Sequence, residues 1–443
     1  MSTVEHYLDG GWSAGADHLE VRDPADDTLV TRAPRATAAD VEAAVKSARA
    51  AAGRWAATPA AARGAVLHRI ADALAERADA LAALTTAEMG KPLADARGGV
   101  AAGIGTLRQY AELGPVHRGR SLAGDPGAVD LLRYGPRGVA AVITPWNDPV
   151  AVSCGLLGAA VVTGNCAIYK PSERAPGTGA ALGAVFAAHL PAGVFAMLHG
   201  DGATGALLAA AEVDVVAHVG ASATGRQVAE AAVRTGAKVL RENGGSDPLI
   251  VDAGVDPAWA AKQAALGAFA NAGQICVAVE RIYVDASLAA PFTEALVAEA
   301  NAHRMGPGRD PGTTLGPLVD RRHREHVHAQ VTEALAAGAA ARCGGRVPEG
   351  PGAFYPATVL TDCTDAMAVV REETFGPVAP VVVVRSFAEA LSRAADSPYG
   401  LAATVLTADL AHATRAADEL PVGTVKVNDV FGGAPGGCAH PRR

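Results

Sequence analysis

Cys276 ends the small-residue loop Asn271-Ala272-Gly273-Gln274-Ile275-Cys276, between a helix-like and a strand-like stretch. Most free cysteines are inert core residues. A thiol after Gly-Gln-Ile at a loop end is a better nucleophile candidate than Cys154, Cys166, Cys343, Cys363 or Cys438. Glu242-Asn243-Gly244-Gly245 sets a carboxylate before a flexible turn. Within water-bridging reach of the thiol, Glu242 could activate a water for hydrolysis. Thr144-Pro145-Trp146-Asn147-Asp148-Pro149 follows a buried-strand pattern. An Asn between two prolines is held rigidly and could donate its amide to a developing oxyanion; the plain alternative is a Pro-stabilised turn.

Other residues suit a dinucleotide. Gly200-Asp201-Gly202-Ala203-Thr204-Gly205 reads G-x-G-x-x-G after a strand and before a helix. It is either a diphosphate-gripping turn or a tight strand-to-helix turn near the cofactor. Gly220-Ala221-Ser222-Ala223-Thr224-Gly225 is a second such turn, where Ser222 or Thr224 could cap the next helix. Its free N–H groups would suit a phosphate. Lys170-Pro171-Ser172-Glu173 could hold the two hydroxyls of an adenosine ribose, or form a surface ion pair.

The elements that must position these residues alternate. Thr37–Gly53 is a helix capped by its threonine, with Asp40 in the first turn, and Ala60–Met89 reads as one long helix stopped by Gly90. Val139–Ile143, Cys166–Tyr169, Val194–Leu198 and Val213–Val219 are strands. Helix patterns up to Val162, over Gly177–His189 and over Gly205–Ala211 separate them. A second block holds strands Leu249–Val251, Arg281–Val284 and Val378–Val384, with helices Pro257–Asn271, Pro291–Asn301 and Phe387–Ala395. Such alternation predicts an α/β protein of two doubly wound parallel-sheet domains.

Composition bounds the function. At 443 residues, two domains are expected. Half the residues are apolar and 19% charged, a globular balance, while the 4% of aromatics leaves Ala, Val and Leu to fill the cores. The net charge of −8 argues against nucleic acid or an anionic membrane as partner. Met1–Gly10 lacks the basic start and apolar run of an export signal. Gly155–Tyr169 is apolar but broken and short of the ~20 residues of a membrane helix. Cysteines without framework spacing predict reduced thiols in a cytoplasm. His323, His326 and His328 have conceivable metal-ligand spacing, but Arg321, Arg322 and Arg324 beside them favour a solvated basic helix face, and no metal site is expected.

In this order the motifs resemble the aldehyde dehydrogenase superfamily over almost the whole chain. The matching segments are Pro145-Trp146-Asn147, Lys170 to Glu173, Glu242 with Gly244-Gly245, and Gly273 to Cys276. Glu372-Glu373-Thr374-Phe375-Gly376-Pro377, Ser397 to Leu401 and Val427-Asn428 continue the match. The resemblance implies an NAD(P)-dependent oxidation of a small aldehyde. Cys276 forms a thiohemiacetal and then a thioester, Asn147 and the Cys276 N–H meet the oxyanion, and Glu242 activates the hydrolytic water. The thiolate requires a pKa lowered by its surroundings. Ile143, Thr144, Pro145, Trp146, Lys170, Ser172, Glu173, Gly202, Gly220, Ala221, Thr224, Gly225, Glu373 and Phe375 are implied to hold the cofactor. NAD is favoured by Glu173, with NADP left open. Residues 1–117 and 137–246 would form the NAD(P)-binding domain, 247–443 the catalytic domain and 118–136 a bridging arm, in a homodimer or tetramer. The alternatives are a CoA- or phosphate-dependent acylating relative, against which Glu242 argues, and a non-catalytic protein on the same fold.

The chain departs from the family pattern in four places. Ala221 lacks the hydroxyl that usually reaches the pyrophosphate, leaving Ser222 as a substitute. Asn243 and Ser246 stand where Leu and Lys are common. Asp148 replaces an aromatic tunnel residue, which would favour a cationic or polyhydroxyl aldehyde, and Gly155 argues against succinate semialdehyde. Phe431–Gly437 carries a glycine loop and the sequence stops at Arg443, so the arm's final partner strand is expected to be missing and assembly weakened, or the chain truncated.

Overall fold

The apolar run Val139–Ile143 is buried at all five positions and sits inside a seven-stranded sheet of the computed structural model, which describes residues 2–431. In chain order the strands up to this sheet's end are β1 (Ser2–Thr3), β2 (His6–Leu8), β3 (Gly11–Ser13), β4 (His18–Arg22), β5 (Leu29–Pro34), β6 (Gly119–Leu122), β7 (Asp130–Arg133), β8 (Val139–Ile143), β9 (Cys166–Lys170), β10 (Phe195–Met197), β11 (Val215–Gly220) and β12 (Lys238–Asn243). The sheet order is β12-β11-β8-β9-β10-β2-β3. β11, β8, β9 and β10 are parallel, which is why β8 and β9 are apolar without alternation. β2 is antiparallel to both β10 and β3. This edge hairpin is absent from the sequence expectation. It turns through Asp9-Gly10, both at positive φ, as a two-residue hairpin loop requires.

The helices of this part are α1 (Ala38–Ala57), α2 (Ala60–Ala75), α3 (Ala78–Met89), α4 (Leu93–Val116), α5 (Pro149–Val162), α6 (Pro176–His189), α7 (Gly202–Ala209) and α8 (Ser222–Val233). Thr37 and Asp40 cap α1 reciprocally, as the sequence predicts. The single helix expected over 60–89 is two, broken at Glu76-Arg77. The apolar periodicity runs through that break, so nothing local announces it. Gly90 ends α3 with φ +83°. The glycine-rich α4 was not anticipated. Its Gly103 packs where an added Cβ would lie 3.2 Å from the Cys154 thiol. The N-terminus of α6 has no cap of its own; Glu88 supplies one, accepting from the N–H groups of Gly177 (2.7 Å) and Thr178 (2.8 Å).

The second sheet uses β13 (Asp247–Val251), β14 (Val279–Asp285), β15 (Ala340–Cys343), β16 (Thr358–Thr361), β17 (Val378–Val384), β18 (Ala402–Leu406) and β19 (Thr424–Val427), ordered β15-β16-β17-β14-β13-β18-β19. All pairs are parallel except β15 with β16. Helices α9 (Pro257–Phe269), α10 (Ala289–Ala302), α11 (Arg321–Ala336), α12 (Ala368–Arg371), α13 (Phe387–Ala395) and α14 (Leu410–Glu419) complete it. Phe269, Tyr283, Phe292 and Tyr355 are its largest fully buried side chains among many Ala, Val and Leu.

Two compact units result. One holds residues 1–21, 29–88 and 96–241, the other 22–28, 89–95 and 242–443. Arg22–Thr28 and Met89–Asp95 thus pack with the second unit, where the sequence reading placed them in the first. Arg309 explains the first of these segments: it pairs with Asp23 (2.8 Å) and Asp26 (2.9 Å). Residues 118–136, expected to form an arm, hold a two-stranded hairpin, β6 with β7. Cys438 and the Gly432–Gly437 loop, with the expected missing strand beyond it, lie outside the described residues. No helix among the described residues is long and apolar enough to cross a membrane.

Candidate active site

In the second unit, Cys276 follows three successive residues in the left-handed region: Asn271 (φ +49°), Ala272 (φ +54°) and Gly273 (φ +72°). Such backbone is costly for non-glycine residues and must be held from outside. Asn271 Nδ2 donates to the Gln274 carbonyl (3.1 Å), and Gln274 Nε2 donates to the Asn271 carbonyl (3.0 Å). The Gln274 side-chain oxygen also accepts from the Val319 N–H (2.9 Å). At Gly273 a Cβ would strike the Gly376 carbonyl, so only glycine fits. The loop presents a partly exposed Cys276.

Glu242, at the end of β12, lies near enough to the Cys276 thiol for the two to interact. Burial raises its carboxyl to about 7, opposed by that interaction. The lowered cysteine pKa expected from the sequence is not found: burial first, then the charges of Glu242 and Asp247, hold the thiol well above its ordinary value. The physical reason is burial, to which the company of carboxylates adds. Glu373 lies against Gly244 and accepts from the Gly245 N–H (3.2 Å), and burial raises it to about 7. Asp247 is 3% exposed and raised by burial to about 8, with Lys426 among the opposing charges.

Glu373 and Phe375 stand on a loop organised by residues the sequence reading missed. Glu280 accepts from the N–H groups of Thr374 (2.9 Å) and Phe375 (2.7 Å). Its signal was available: a carboxylate beside the apolar run of β14, which is buried over six of its seven positions. His323 Nε2 is 2.8 Å from the Phe375 carbonyl and Gln330 donates to the Glu373 carbonyl (3.3 Å), so α11 fastens this loop. His328 Nδ1 lies 3.1 Å from the Tyr355 hydroxyl. No group of three His, Cys, Asp or Glu among the described residues could hold a metal.

In the first unit the remaining candidates gather at the C-terminal ends of the parallel strands, where open α/β sheets bind ligands. Ile143 ends β8, and the Thr144 N–H donates to the Lys170 carbonyl (3.2 Å). Pro145 and Trp146 follow, with the Arg174 guanidinium 5.3 Å from the Trp146 ring. Asn147 is 8% exposed and immediately precedes Asp148, the N-cap of α5. The Asp148 carboxylate lies against Gly99 of α4. Lys170 is buried, donates to the Pro171 carbonyl (3.1 Å) and lies 3.5 Å from Glu173. Ser172 Oγ accepts from the Arg174 N–H (3.3 Å).

The two glycine turns differ. Asp201 caps α7 through the Ala203 N–H (3.0 Å) and binds Arg35 (3.1 Å), so a carboxylate already serves the helix that Gly202 begins. The second turn, from Gly220 into Gly225, is open. Neither Ser222 nor Thr224 caps α8, as the sequence had suggested; Ala221 is the N-cap and makes no side-chain bond. Ser222 is already the first helical residue, one position too late to cap. The α8 N-terminus therefore keeps N–H groups for an anion. Cys154 and Cys166 are fully buried, as expected of small core residues.

The sequence profile of the aldehyde dehydrogenase family matches residues 12–439. A lactaldehyde dehydrogenase from Escherichia coli superposes with a TM-score of 0.95 at 32% identity, covering 98% of this chain and 92% of that one. A betaine aldehyde dehydrogenase from Staphylococcus aureus, solved with NAD+, gives 0.93 at 31% identity over 97% and 87%. An NADP-dependent enzyme from E. coli gives 0.94 at 32% identity over 97% and 90%. With this agreement over both sheets and nearly every residue, the chain belongs to the aldehyde dehydrogenase family.

Proposed function

We propose that this enzyme oxidises a small aldehyde to its carboxylic acid with NAD(P)+, through a thioester on Cys276 that Glu242 hydrolyses. One observation carries the reading: a partly exposed thiol interacts with a carboxylate whose pKa is near 7. Glu242 takes the thiol proton as sulfur attacks the carbonyl carbon, so the thiolate exists only as it reacts. The Cys276 N–H donates to the oxyanion, and the Pro145-Trp146-Asn147 motif supports Asn147 as the second donor. Bound NAD(P)+ supplies the hydride acceptor. Glu242 then sheds its proton to solvent, which its pKa permits near neutrality, and takes one from the water that attacks the thioester. This base favours hydrolysis over transfer to a thiol or phosphate.

The residues present suit the cofactor. The uncapped α8 N-terminus with Gly220, Ala221, Thr224 and Gly225 would take a phosphate. Lys170 and Glu173 would take the adenosine ribose, with Glu173 favouring a free 2′-hydroxyl and hence NAD, and Glu373 the other ribose. The hairpin β6–β7, which exposes Leu122, Leu131 and Leu132, supports a homodimer or tetramer. The test is a panel of aldehydes with both cofactors, following reduced cofactor and product. Free acid is expected from the wild type and no reduction from Cys276→Ala. A thioester or acyl phosphate product, or turnover by Cys276→Ala, would overturn the reading.

A further inference from the structure

One histidine at the ligand edge of the first sheet is unused by this chemistry. His218 on β11 is in register with Ile143 of β8, and Ile143 with Lys170 of β9. Residues side by side across parallel strands project from one face, so His218 and Lys170 share a face. His218 is 3% exposed, and its Nδ1 is buried with no hydrogen-bond partner. The ring turns toward the Gly220 turn: a Cβ on Gly220 would lie 3.0 Å from His218 Nε2. Burial first, then the charges of Lys170 and Arg241, lower its pKa to about 4. The ring is therefore neutral at pH 7, with one N–H to donate.

As a mere filler this residue makes little sense. A phenylalanine would fill the same space without an unpaired buried nitrogen, which costs stability. The surroundings call for an anion: the uncapped α8 N-terminus begins right after Gly220, and the Lys170 cation shares the face. Ala221, first in that turn's entry to the helix, offers no hydroxyl for the purpose.

We propose that His218 is a cofactor-binding residue, whose ring N–H donates to a diphosphate oxygen of the dinucleotide seated at the Gly220–Ala221 turn. This rests on the NAD(P)-dependent reading above. Titration calorimetry on the cofactor-free enzyme tests it with NAD+, ADP-ribose and adenosine as probes. His218→Phe should weaken NAD+ and ADP-ribose by about tenfold, the loss of one hydrogen bond to a charged group. Adenosine, which has no phosphate, should bind as to the wild type. His218→Gln, which keeps a donor, should recover most of the loss. Unchanged NAD+ binding by His218→Phe, or an equal loss for adenosine, overturns the inference. A wild type that binds neither NAD+ nor NADP+ overturns instead the reading on which it rests. Isotope-labelled histidine in the wild type avoids any folding defect of a variant. There, one ring resonance should move with ADP-ribose and not with adenosine; no moving ring overturns the inference.

Discussion

Replacing Glu242 by glutamine separates the two roles of its carboxylate. In the resting protein the Cys276 thiol interacts with Glu242, and ionising it would place two negative charges side by side. At an effective dielectric of about 20, such a pair repels by about 4 kcal/mol, or about three pKa units. Both side chains are partly exposed, so this is an upper bound. Glutamine keeps the shape, loses the charge and can donate to the sulfur anion. The thiol pKa therefore falls in Glu242→Gln, while burial and Asp247 keep part of its elevation. Alkylation by iodoacetamide across pH, without cofactor, reads the thiolate directly. The midpoint should drop by more than about one unit. Turnover should move the opposite way. The variant should release one burst of reduced cofactor per site and then stall, since its thioester has no base. Wild-type steady-state rate should rise with pH through about 7 as Glu242 loses its proton, and the variant should lack that limb. An alkylation midpoint equal to or above the wild type's refutes the electrostatic argument. Full steady-state turnover refutes Glu242 as the base.

Three further outcomes are expected. Folded Asp247 keeps its proton up to about pH 8, whereas the unfolded chain loses it near 3.8, so the folded state binds more protons across that window and stability falls as pH rises through it. Asp247→Asn should therefore raise the melting temperature little near pH 3.8 and most at pH 8 and above, read from melts across that range. Gly273→Ala should destabilise by more than about 2 kcal/mol, from its left-handed φ and the clash with the Gly376 carbonyl, and should abolish Cys276 reactivity; a normal melt with normal activity would contradict this. Glu88→Ala leaves the buried N–H groups of Gly177 and Thr178 without their acceptor, and chemical denaturation should show a loss of about 2–4 kcal/mol; a loss well under 1 kcal/mol would mean that α6 is capped otherwise.

What the sequence revealed of the fold followed burial. Val139–Ile143 and Val378–Val384, the latter buried at every position but Val383, are legible because a strand covered on both faces must be apolar. Helix α4 escaped because its glycines count against helix by propensity, yet they admit Cys154 and Val162 at close range. The β2–β3 hairpin was legible in principle, since Asp9-Gly10 is a hairpin turn signal, but its strands are too short to show alternation.

The site divides along a different line. The candidates Cys276, Glu242 and Asn147 were nameable from local motifs because each motif fixes one backbone need, as Gly273 shows with its positive φ. Electrostatics were not, because they depend on groups brought together from distant segments. Four carboxylates, Glu242, Asp247, Glu280 and Glu373, act on one another or on the thiol. Burial and that gathering together reverse the expected direction of the Cys276 pKa. It also changes what the enzyme must do. A thiolate ready at rest would be open to any electrophile or oxidant. In the proposed mechanism, a thiol beside a base of pKa near 7 is ionised only as its proton leaves for Glu242, so the reactivity of Cys276 is tied to the residue proposed to hydrolyse its thioester.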